Sequence, residues 1–150
     1  MQITKYLMEN NKRRQKELKL IEIPKWGNYL REQWRGIFAN HLSKVEQKSI
    51  YMDSFLWHLC SWEKVFCLEK EKAIEAFESQ LKNKCTIFYQ NTDEAYLVQH
   101  AKNLKINDLP FEENHMYYSD IYVMDWNNGW TFVMTHETES GIGPFFIQKP

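Results

Sequence analysis

The chain has 150 residues, 43% of them hydrophobic and 15% aromatic, which is the usual size of one domain and enough core material to exclude global disorder. A net charge of −1 excludes bulk attraction to nucleic acid or membranes. No segment approaches the ~20 consecutive apolar residues of a membrane span.

Residues 2–19 are expected to form a first helix, basic and thinly apolar, with Ile3 and Leu7 on one face. The strongest helical pattern runs from Lys25 to Leu42. There Trp26, Tyr29, Leu30, Trp34, Ile37, Phe38 and His41 recur at spacings of three and four, and Pro24 suits the first turn. Ser43 with Glu46 spells a capping box for a short helix through Lys48. The run FLWHLCSW, 55–62, fits a buried strand or a buried helix, and its Phe and Trp content favours strand.

A helix is expected over Glu71–Lys82, with Ile74, Phe77 and Leu81 inward and Glu78 paired with Lys82. CTIFYQ, 85–90, reads as a buried strand, and Thr92 as the cap of a helix from Asp93 to about Lys102. SDIYVMD, 119–125, and WTFVMTHE, 130–137, read as two strands of a hairpin turning at Asn127-Asn128-Gly129, with FFI, 145–147, as an edge strand. The whole of 1–150 is read as one α+β domain with a basic N-terminal helix (1–20), a helix and strand region (21–104) and an acidic β-meander (105–150). Its expected architecture is two layers, a mixed or antiparallel sheet with helices on one face.

The succession IPKWGNYLREQW at 23–34, FLWHLCSWEK at 55–64, the DIYVMD and WTFVMTHE strands and GPFF at 143–146 resembles a family of small proteins from Bacillus-like bacteria, domain of unknown function 4275. The resemblance implies a bacterial single-domain protein, and it carries over no catalytic or binding residue.

Charge is unevenly spread. Lys5, Lys12, Arg13, Arg14, Lys16 and Lys19 crowd the first twenty residues, whereas Ile106 to Gln148 contains no Lys or Arg but holds Asp108, Glu112, Glu113, Asp120, Asp125, Glu137 and Glu139. An acidic surface of this kind repels nucleic acid and attracts basic proteins. The leading reading is therefore a binding module, immunity- or inhibitor-like, using Asp120, Asp125, Trp126, His136, Glu137 and Glu139 against a basic protein. The rival is a metal-assisted hydrolytic enzyme using His136 with Glu137 or Asp120, since imidazole and carboxylate serve as bases or metal ligands. Register makes Asp120 or Ser119, near the start of the first strand, a better neighbour for His136 or Glu137 than Asp125. A third reading is a homo-oligomer through the Trp26/Trp34 face.

No nucleophile elbow and no phosphate-cradling glycine loop occurs, and no cofactor is expected. His58 and Cys60 would share one face of a strand, but without a C-x-x-C pair they read as packing residues. Three cysteines, an odd number, and a start without a signal-like apolar run point to free thiols in a reducing cytoplasm.

Overall fold

The computed structural model describes residues 18–149. Its elements in chain order are β1 (Lys19–Glu22), α1 (Gly27–Phe38), α2 (Lys44–Ser49), α3 (His58–Ser61), β2 (Leu68–Glu69), α4 (Lys70–Ser79), β3 (Lys84–Tyr89), β4 (Ala95–Gln99), β5 (Ile121–Asp125), β6 (Trp130–Met134) and β7 (Phe145–Gln148). The strands form one seven-stranded sheet in the order β1-β4-β3-β5-β6-β7-β2. Every neighbouring pair is antiparallel.

Side chains alternate across this sheet, and both of its faces are covered. Phe88, Tyr122, Met124, Val133, Phe145 and Ile147 pack with Leu30, Trp34 and Phe38 of α1 and with Leu59 and Cys60 of α3. Ile87, Tyr89, Val123, Trp130, Phe132 and Phe146 pack instead with Ala73 and Phe77 of α4. The expectation of helices on one face is thus corrected. The physical cause is visible in β3 and β5, nearly every residue of which is buried: such strands show a continuous apolar run, with no polar face to mark solvent.

Helix α1 forms because Leu30, Trp34 and Phe38 fall four apart on one stripe and each is fully or almost fully buried. Each side chain contributes roughly 1.5–3 kcal/mol by leaving water. Trp34 Nε1 also donates to Thr131 Oγ1 at 2.9 Å, which stitches the helix to β6. The helix is shorter than its pattern. Lys25 takes a positive φ of 71° ahead of it, and Trp26, Tyr29 and His41 point away from the core. The capping box of α2 forms as expected, with Ser43 Oγ accepting from Glu46 N and Glu46 Oε1 accepting from Ser43 N.

Four other expectations are overturned. Residues 55–62 are a helical turn, with Cys60 N donating to Trp57 O and Trp62 N to His58 O, so His58 and Cys60 share no strand face. The run is apolar because it lies wedged on the α1 side of the sheet, where no alternation is required. Residues 95–99 are strand β4, not helix: Tyr96 and Val98 face the α4 side while Ala95 faces the α1 side, a period of two. Helix α4 stops at Ser79, which leaves Leu81 90% exposed, while Lys82 is buried with its ammonium 4.6 Å above the Phe77 ring. Strand β7 is not an edge, because β2 lies outside it. The helix expected over 2–19 lies outside the described residues except at its end, where Lys19 opens β1.

Candidate functional site

Strand β6 ends at Met134 because Thr135 leaves the ladder to build a turn. Its N–H donates to Thr138 Oγ1, its hydroxyl donates to Ile142 O at 2.6 Å, and Glu137 N donates to its Oγ1. Threonine hydroxyls satisfy the backbone groups that a sheet would otherwise pair. Beyond the strand, the rule that successive side chains diverge no longer applies. His136 and Glu137 come together, with His136 Nε2 3.5 Å from Glu137 Oε1.

The Nδ1 edge of the His136 ring meets Asp120, one residue before β5. Asp120 is 3% exposed. Its Oδ1 accepts from the His136 backbone N–H at 2.9 Å, from Trp57 Nε1 at 2.9 Å and from His136 Nδ1 at 3.1 Å, and its Oδ2 lies 3.2 Å from the same Nδ1. A carboxylate only accepts, so this geometry places a proton on Nδ1 and leaves Nε2 free to take up or release one. The ring is braced on its flanks by Phe55, at a centroid distance of 4.9 Å, and by Trp57 at 5.9 Å.

Behind the pair runs a buried polar network. Trp57 N donates to Tyr122 Oη, Tyr122 donates to Gln90 Oε1, and Gln90 Oε1 accepts from Leu56 N as well. Burial, with the nearby Asp120 charge, drives the Tyr122 phenol well above its ordinary range, so this hydroxyl stays protonated as a donor. In front of the pair, Phe55, Asn91, Glu113, His115, Ser119 and His136 line an open cleft of about 400 Å³.

The remaining residues read from the sequence fall elsewhere. Asp125, 3% exposed, locks the β5–β6 turn: Oδ1 accepts from Asn128 N and Oδ2 from Asn128 Nδ2. Trp126 is 40% exposed, donates to Thr86 Oγ1 and stacks on Tyr29 at 6.3 Å. Glu139 is exposed, and hydrogen bonding to Glu113 raises its carboxyl above the ordinary value. With Asp108, Asp120 and Asp125 all buried, the acidic block is not one continuous charged face. Trp57, Tyr122, Gln90 and Phe55 were missed as supports of the site. Only Gln90, a polar residue closing a buried apolar strand, carried a local signal.

A family model described as a domain of unknown function (DUF4275) matches residues 6–146. The chain belongs to this family. The match contains both Asp120 and His136, so in this DUF4275 protein the pair is part of the family's domain. No curated protein and no solved structure matches the chain.

Proposed function

We propose that this DUF4275 protein is a hydrolytic enzyme in which His136, held by Asp120, acts as general base on a small polar substrate in the adjoining cleft. The observation that carries this reading is the buried carboxylate at 3.1 Å from Nδ1, which fixes ring orientation and tautomer while Nε2 is left for proton transfer. Glu137, facing Nε2, stabilises the imidazolium that forms when the proton arrives. Among the described residues no group of three or more His, Cys, Asp or Glu side chains is arranged to hold a metal ion. The test is a screen of chromogenic esters, amides and phosphate esters, with and without added zinc or manganese, using the wild type and His136→Gln. Turnover abolished by H136Q in a folded protein supports the proposal. Turnover indifferent to H136Q, or none on any substrate class, removes it.

A second reading, the binding module, is favoured by one observation. Trp26, Tyr29 and Trp126, each between 40% and 48% exposed, form a contiguous aromatic surface, Trp26 edge-on to Tyr29 at 5.3 Å and Tyr29 stacked on Trp126. Exposed Trp and Tyr are the residues that anchor interfaces. A basic protein partner or a second copy of the chain would then dock there, and light scattering with a salt-graded pull-down distinguishes the two. Among the described residues no helix is long and apolar enough to cross a membrane. The free thiols of Cys60, Cys67 and Cys85 suit a cytoplasmic setting.

A further inference from the structure

Helix α3 ends in a tight reversal: Glu63, at a φ of 55°, donates its N–H to Cys60 O, and Lys64 N donates to Leu59 O. The chain therefore doubles back, and Cys67 returns to pack against the cluster that contains Cys60. The two thiols line the same open cavity of about 470 Å³, together with Ser61, Lys64 and Phe66. They differ in setting. Cys60 is 3% exposed, while Cys67 is half-buried and reachable from the cavity.

We propose that Cys67 and Cys60 form a reactive dithiol that undergoes thiol–disulfide exchange with low-molecular-weight disulfides, Cys67 attacking and Cys60 resolving. Access from the cavity gives Cys67 the attacking role and burial gives Cys60 the resolving one; in keeping with this, the neighbouring Cys60 lowers the Cys67 thiol below its ordinary value and burial raises Cys60 well above it. In the first step the Cys67 thiolate attacks one sulfur of the small disulfide, breaking its S–S bond, expelling one thiolate and leaving a mixed disulfide on Cys67. In the second, Cys60 passes its proton to the thiolate already expelled and attacks Cys67 Sγ, and the other thiolate leaves and takes up from water the proton that Cys67 released. Two protein thiols are oxidised to one disulfide, and one small disulfide is reduced to two thiols.

The test exposes the folded protein to 2-hydroxyethyl disulfide, quenches with acid and maps the cysteines by mass spectrometry, with tryptophan fluorescence reporting the fold. Trypsin cuts after Lys64, so a Cys60–Cys67 bond keeps two peptides joined until reduction. The expected result is that joined pair, loss of two of the three thiols and an unmodified Cys85. Cys60→Ala should stop at a mixed disulfide on Cys67, and Cys67→Ser should leave Cys60 unmodified. A wild type that keeps the mixed disulfide, loses no thiol while folded, or reacts only after unfolding overturns the proposal. So does a Cys67→Ser protein whose Cys60 reacts at the wild-type rate.

Discussion

Asp120 holds His136 twice, through the backbone N–H at 2.9 Å and through Nδ1 at 3.1 Å. The same oxygen also accepts from Trp57, so a single carboxylate ties the 55–62 segment, the entry to β5 and the turn after β6 together. In Asp120→Asn the three donors at Oδ1 lose the charge they point at, and the amide nitrogen that replaces Oδ2 turns a donor towards the Nδ1–H of His136. Hydrogen bonds to charged groups are worth about 1.5–3 kcal/mol, so D120N should lose about 2 kcal/mol in urea unfolding. An unchanged midpoint would show that the carboxylate is not integral to the fold.

Two glycines of α1 predict opposite signs. A Cβ on Gly27 would sit 2.6 Å from Thr92 O and 2.8 Å from Asp93 Cα, both backbone atoms, whereas a Cβ on Gly36 meets nothing within 4 Å. Gly27→Ala should therefore cost roughly 1–3 kcal/mol through the displaced β3–β4 connection. Gly36→Ala should stabilise by roughly 0.5–1 kcal/mol through helix propensity. Thermal melts of the two variants beside the wild type decide it, and equal shifts would refute the local packing.

Leu81 and Phe77 separate pattern from burial. Phe77 is fully buried and stacks on Phe132 at 4.4 Å, so Phe77→Ala should cost about 3–5 kcal/mol. Leu81, past the end of α4, should tolerate Leu81→Ser within about 0.5 kcal/mol. A large loss in L81S would place the helix end later than Ser79.

The thiol of Cys85 makes stability depend on alkali. Burial, with the charge of Asp125 next, pushes it from the ordinary 9.0 up to about 12. The folded chain thus keeps a proton that the unfolded chain gives up, so this contribution is complete below about pH 9 and fades as pH rises towards 12. At 1.36 kcal/mol per pKa unit the loss is at most about 4 kcal/mol. Cys85→Ala should show a shallower decline in unfolding free energy between pH 9 and 11 than the wild type, and parallel profiles would contradict this.

What could be read in advance depended on how each residue is buried. Leu30, Trp34 and Phe38 have water on the far side of their helix, so their spacing was visible, as was the reciprocal chemistry of Ser43 and Glu46. The register of β5 and β6, Asp125 opposite Trp130 and Ile121 opposite Met134, follows from the Asn128-Gly129 turn, and of the neighbours it allowed, Asp120 or Ser119 with His136 or Glu137, the fold joins Asp120 to His136. Residues 95–99 and 55–62 misled for opposite reasons. The first satisfies both helix and strand periods, and only pairing with β1 and β3 decides it. The second is apolar nearly all round, so tertiary packing alone sets its shape. The buried carboxylates were invisible as such, because sequence counts a charge without showing whether a turn amide or an indole consumes it.

Strand β7 lies between β6 and β2, although β2 precedes it by most of the sheet. During synthesis, Leu68 and Glu69 must therefore wait unpaired until Phe145 and Phe146 leave the ribosome. Helix α4, which follows β2 directly and packs on β7, waits with them. One rim of the molecule is thus zipped shut last, and a stalled or clipped nascent chain would display an open sheet edge and the bare apolar side of α4 to whatever quality-control machinery is nearby.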